Sequence, residues 1–218
     1  MWWKILIFVV MAAVIVCSFV TPAPQEQIGP ASRIFYYHIP MAWICVVAFG
    51  MAMVFSIRYL KTRRPAEDDK AATAARLGFM FCALAAVTGS IFAKITWGSF
   101  WNWDPRETSI FMLLLIYGAY FALRSAVEVE ERRAALAAVY AIFAFLTVPF
   151  LIFVLPRVVP SLHPPDSVVN KNLEFTMGVT VRWIFFTSLL CFTAVFLWMF
   201  GLARRVSTVG RRLTEREM

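Results

Sequence analysis

Charge is what this sequence has least of. Asp, Glu, Lys and Arg make up only 16% of its 218 residues, against roughly 25% in soluble domains. Histidine is scarcer still, at two residues, His38 and His163. The four cysteines, Cys17, Cys45, Cys82 and Cys191, form no CxxC or CxxCH spacing, which argues against a thioredoxin-like dithiol and against covalently attached haem. Each falls in a different apolar run and reads as a small packing hydrophobe. No internal repeat and no low-complexity tract is present, which excludes solenoids and disordered arrays. No connection between the apolar runs is long enough for a soluble domain, so the chemistry must lie on helix ends and short loops.

What is present is apolar surface. Hydrophobic residues are 61% of the chain and the mean hydropathy is +0.72. They sit in long uncharged runs of roughly 20 residues, the length that crosses an apolar slab about 30 Å thick. The pattern predicts an all-α polytopic bundle of six transmembrane helices in a single integral-membrane domain over 1–218, with spans at about 5–22, 36–57, 77–95, 108–124, 134–155 and 181–203. The first run follows a single lysine, Lys4, and no A-x-A cleavage pattern follows it, so it reads as a retained helix rather than a secretory signal. The fourth span is the shortest, and the tail after Gly201 is basic and expected to be mobile.

The net charge of +8 and pI of about 9.7 raise the question of nucleic acid. The basic residues cluster between apolar runs, where they act as a topology signal, and no nucleic-acid partner is expected. With the N-terminus inside, only Arg33, Lys94, Arg106, Arg157, Lys171 and Arg182 remain on the outer side. Both termini are therefore predicted to be cytoplasmic, in the bacterial inner membrane, with lipid around the bundle.

Parity then brings three segments to the outer face. His38 stands at the entrance to the second span, the run WGSFWNWDPRET occupies the connection 96–106 and the start of the fourth span, and His163 lies between the fifth and sixth. Two neutral imidazoles on separate segments suit an iron of intermediate softness and are a plausible axial pair for haem. A helix N-terminus beside His38 would disfavour imidazolium and keep that ring able to ligate. Two unrelated interfacial histidines remain an alternative, as does zinc recruiting Asp104, Asp166 or Glu174. Trp97, Trp101 and Trp103, with Phe100, Gly98 and Ser99 among them, read either as an aromatic belt at the membrane surface or as a flat apolar platform with indole N–H groups to spare. Asp104-Pro105-Arg106-Glu107 reads as N-cap, N1 proline and an N3 acid that start a helix. Arg33, Arg106 and Arg182 are outer cations able to pair with a carboxylate, and Arg106 alone is tied to the motif.

The string WGSFWNWD resembles the tryptophan-rich WWD signature of haem-handling proteins of cytochrome c biogenesis. YYHIPMAW around His38 and SLHP around His163 extend the likeness to the haem exporter protein C family, over essentially the whole chain. The resemblance implies haem b held non-covalently by His38 and His163, with Trp97, Gly98, Trp101, Trp103 and Asp104 around it and Arg106 as support. It also implies export and transfer of haem, without enzyme activity of the chain's own, to a periplasmic haem chaperone whose histidine becomes joined to a haem vinyl group. A small membrane subunit and an ABC transporter pair are the implied partners. Phe100 and Pro105 depart from the family pattern, and WNWDPRET also looks like the larger cytochrome c synthase subunits, which is the alternative within the same chemistry. A small membrane transporter and a ligand-free scaffold are the alternatives outside it.

Overall fold

The computed structural model describes residues 2–25, 28–163, 168 and 175–217. Lipid offers a peptide group no hydrogen-bond partner, so apolar runs of this length must satisfy their backbones internally. They do so as six long helices: α1 (Trp2–Val20), α2 (Phe35–Thr62), α3 (Pro65–Trp97), α4 (Pro105–Ala126), α5 (Glu130–Val158) and α6 (Val179–Glu217). All six are long and apolar enough to cross a membrane. Their exposed faces carry Val47, Val54, Val87, Ile91, Phe143, Leu146, Leu190 and Leu197, an apolar exterior that only lipid tolerates. The chain is a multi-pass membrane protein.

Several helices outrun the apolar spans. α3 starts at Pro65, with Glu67 and Asp68 in its first turn, where acids complement the dipole. At this end Arg124 of α4 closes a two-pronged ion pair on Asp68, at 2.6 and 2.8 Å. Beyond Gly201, where the sequence suggests a mobile tail, α6 continues as helix to Glu217. No proline interrupts that stretch and its arginines and leucines are good helix formers.

α2 is the central helix, packed on α3, α5 and α6. Small residues let the α2 and α3 backbones approach: Ala48 and Ala52 on one side, Ala74, Ala75, Gly78 and Ala85 on the other, all buried. A Cβ at Gly78 would lie 2.6 Å from the Phe49 ring, which is itself stacked on Tyr117 with centroids 3.5 Å apart. Pro40, in the second turn of α2, has no N–H to give the Tyr36 carbonyl. The Ser188 hydroxyl of α6 donates to that carbonyl instead. α1 packs on α6, and Arg33 ties its end to the start of α2 by donating to the carbonyls of Ser18 (2.8 Å) and Thr21 (3.1 Å).

Two helix ends differ from expectation and bear on the site. A 3-10 turn over Gly29–Ile34 runs straight into α2, with Phe35 N–H bonded back to Ser32 and Arg33. His38 is the fourth residue of α2, at the entrance to that span as expected, and the 3-10 turn extends the helical stretch ahead of it back to Gly29. In α5, Pro149 is followed by a π turn over Phe150–Val154 before the last α turn at Leu155–Val158. Proline denies one carbonyl its usual partner, and a wider turn is one way for the ladder to resume. Six crossings bring the start of α2, the α3–α4 connection and the end of α5 to one end, hereafter the motif end. Trp3 packs on Trp198 at the other, with ring centroids 5.6 Å apart.

Because the Gly78 site has no room, Gly78→Ala should destabilise the bundle by about 1–3 kcal/mol. Thermal unfolding of the detergent-purified protein checks this, and an unchanged midpoint would show that Phe49 moves aside freely.

Candidate functional site

The tryptophan loop is built by the two helix ends it joins. α3 stops because Gly98 adopts φ +83 and returns its N–H to the Lys94 carbonyl, a left-handed cap that glycine adopts without penalty. The Lys94 ammonium donates to the Gly98 carbonyl at 2.9 Å. A Cβ at Gly98 would meet nothing within 4 Å, so the residue supplies a conformation rather than a close approach. At the far side Asp104 caps α4 by accepting from Arg106 N–H at 2.9 Å. Glu107 reaches back to Asp104 N–H at 3.3 Å and to Asn102 N–H at 2.7 Å. The reciprocal capping box read from the sequence is present.

The three indoles do not share one flat surface. Trp97 packs edge-on against the His163 ring, 4.7 Å between centroids. Trp101 meets Trp103 at 5.8 Å with planes 88° apart. Trp103 is 72% exposed and has φ +55, a left-handed backbone that costs a bulky residue about 1–3 kcal/mol. Its ring keeps an edge contact with Trp101 and is otherwise open, an outcome that composition does not signal.

The two histidines are oriented by different partners to the same effect. His38 Nδ1 lies 2.9 Å from Thr88 Oγ1, and that hydroxyl donates to the Leu84 carbonyl at 2.8 Å. The hydroxyl oxygen is thus left to accept, Nδ1 carries the ring proton, and Nε2 keeps its lone pair. Gly89 makes room, since a Cβ there would come within 3.0 Å of His38 Cε1. His163 Nδ1 lies 2.9 Å from Asp104 Oδ1. Burial alone would raise the Asp104 carboxyl, but hydrogen bonds from Arg106 N–H, Leu162 N–H, His163 and Ser161 hold it below the ordinary range. Burial pushes His163 below its usual value despite the carboxylate beside it, with Arg106 adding to the shift. Asp104 Oδ1 accepts from His163 Nδ1–H, and in the neutral ring that bond leaves Nε2 without a proton.

Both rings line one cavity of ≈ 540 Å³ between α2, α3, α4 and the π end of α5, within the range of small-molecule and cofactor sites. Trp43, Trp101, Arg106 and Arg157 line it too. Gly98, Trp97 and Trp103 lie outside its wall. Of the three cations singled out in the sequence, Arg33 is spent on α1, Arg182 lies over the Phe175 ring at 5.3 Å, and Arg106 faces the cavity with its buried Nε unpartnered. Arg157, Thr88, Gly89 and Ser161 have roles that sequence reasoning did not assign. Asp166 and Glu174, weighed for zinc, lie outside the described residues. Among the described residues no three of His, Cys, Asp and Glu converge as a metal cluster. The arrangement offers two imidazoles, the indoles of Trp43 and Trp101, and the guanidinium groups of Arg106 and Arg157 around an otherwise largely apolar space.

The family model for "Heme exporter protein C" matches residues 1–218. The chain belongs to the heme exporter protein C family. It is 32% identical over 201 residues to the heme exporter protein C of Bradyrhizobium diazoefficiens, covering 90% of this chain and 74% of that one. A ccmC-like mitochondrial protein of cytochrome c biosynthesis from Marchantia polymorpha is 28% identical over 191 residues, with 87% and 80% covered. The Escherichia coli K12 heme exporter protein C is 29% identical over 170 residues, with 78% and 68% covered. Membership of the heme exporter protein C family, with six spans, implies a multi-pass inner-membrane protein that handles haem in cytochrome c maturation.

Glu107→Ala removes two bonds that hold the loop, and should cost about 1–2 kcal/mol while speeding amide hydrogen exchange at Asn102 and Asp104. Exchange rates equal to the parent's would mean that the loop holds without the capping acid.

Proposed function

We propose that this protein binds haem b at the periplasmic face, through His38 and His163 as axial ligands, and passes it to a periplasmic haem chaperone. The observation that supports this best is the pairing of two imidazoles on one cavity, each with its Nδ1 proton engaged and its Nε2 free. That donor set fits iron of intermediate softness. The buried, unpartnered Nε of Arg106 fits a propionate, an anion that a guanidinium can take in two prongs. Trp101 supplies an aromatic wall.

On this reading the motif end faces the periplasm, as the distribution of lysine and arginine favours. The cargo supplies a reactive vinyl group. The chain's own residues would place it: the histidines would hold the iron, Trp101 would offer an aromatic surface, and Arg106 would pair with a propionate. On this reading the chemistry of attachment falls to the chaperone's histidine. Trp103, exposed beside Trp101, is positioned to meet that chaperone. Family membership makes a small membrane subunit and an ABC transporter pair the expected partners.

Detergent-purified parent protein with haemin should give a low-spin Soret band. His38→Ala and His163→Ala should each abolish the low-spin features, and Thr88→Val should lower haemin affinity about 10–100-fold by releasing the His38 ring. A parent that stays colourless with added haemin would sink the proposal.

A second outcome separates the indoles. Trp101→Ala should weaken haemin binding, whereas Trp103→Ala should leave binding intact and lower transfer to the chaperone. Equal effects of both changes on haemin affinity would remove the distinction between wall and docking residue.

A further inference from the structure

Asp104 sits 59 residues from His163 in sequence and only 4% of its surface is exposed. Its carboxylate accepts four hydrogen bonds. Oδ1 takes Arg106 N–H and His163 Nδ1–H, each at 2.9 Å. Oδ2 takes the Ser161 hydroxyl at 2.9 Å and Leu162 N–H at 2.7 Å. The Ser161 oxygen in turn accepts His163 N–H at 3.1 Å. Helix capping needs only the first of these bonds. The other three all arrive from the turn 161–163, and one of them ends on the imidazole itself.

We infer that Asp104 is the positioning residue for His163: its carboxylate clamps the 161–163 turn onto the tryptophan loop and holds the ring in the tautomer with Nε2 bare. The inference rests on reading His163 as an iron ligand for its purpose, though not for its geometry. It assigns the motif's acid a task beyond starting α4.

The chemistry requires an acid in particular. Both oxygens face donors only, so an amide of the same shape must turn its NH₂ toward one pair of them. Turned toward Oδ2's partners, it sets N–H against Leu162 N–H. Turned toward Oδ1's partners, it confronts Arg106 N–H, and His163 can answer only by moving its proton to Nε2 so that Nδ1 accepts. That second form points an N–H into the cavity and has no lone pair there to bind a metal. Loss of the correct tautomer after an Asp-to-Asn change behind a histidine has precedent in serine proteases.

The chain's two histidines make the test direct. Full-length protein labelled with 15N-histidine has four ring-nitrogen resonances, which His38→Ala separates into pairs. In the parent without haemin, His163 should show a protonated Nδ1 and an unprotonated Nε2. In Asp104→Asn, which keeps a favoured N-cap residue, a protonated Nε2 should appear at His163 with His38 unchanged, and haemin affinity should fall about 10–100-fold. Glu107→Ala, which weakens the same cap without touching these four bonds, should leave the His163 nitrogens as in the parent.

A parent His163 protonated on Nε2 overturns the clamp whether or not the variant folds. So do His163 resonances and haemin affinity both unmoved in Asp104→Asn, or His163 resonances moved equally by Glu107→Ala. A parent with the expected nitrogen pattern that takes up no haemin rejects the haem reading and leaves the clamp standing.

Discussion

A bilayer core leaves a peptide group nothing to bond except another peptide group, and every feature of this molecule follows from that restriction. It forces the chain into long helices and places apolar side chains on the outside. It also confines irregular backbone to the helix ends. Polar groups therefore gather at the two ends of the bundle, and those that line the cavity lie where the start of α2, the α3–α4 connection and the exit of α5 meet. Even inside the slab the rule holds: where Pro40 frees the Tyr36 carbonyl, a serine from α6 fills the vacancy.

Crowding alone would not give a site, because short loops at a membrane surface have many conformations open to them. Helix termini limit that freedom here. Gly98 ends α3, Asp104 starts α4, and Glu107 reaches back over the residues between. The same carboxylate that caps α4 also gathers the turn carrying His163. His38 needs no such gathering, since it stands in a continuous helix against Thr88 and Gly89. One histidine is thus held by a rigid rod and the other by a carboxylate shared between two loops.

Much of this was legible in the residues. Span number follows from hydropathy because uncharged runs of this length have one solvent available to them. The capping box at Asp104 follows from local stereochemistry and appears as read. Helix extents were less legible, because the charged turns at 65–76 and beyond Gly201 look like loops when judged by hydropathy alone. Nothing in the string announces that Asp104 meets His163, a contact that depends on how α5 leaves the bundle. Nor could spacing reveal that Trp97 turns to His163 while Trp101 and Trp103 meet edge to face, or that Trp103 takes a positive φ. Thr88 lies in an apolar span where its own sequence context gives it no purpose, and the His38 ring opposite supplies one.

The π turn after Pro149 has a geometric corollary. Each residue in an α-helix advances the side-chain direction by about 100°, so accommodating one extra residue per turn resets the angular phase of everything downstream. The stretch Glu130–Pro149 packs on α2 and α4, and the last turn, beyond the π turn, meets α4 again with a shifted phase. Arg157 reaches the cavity wall on that second phase, with its guanidinium also bonded to the Phe153 carbonyl inside the widened turn. The helix can therefore be anchored for packing and aimed for recognition by separate stretches of a single rod.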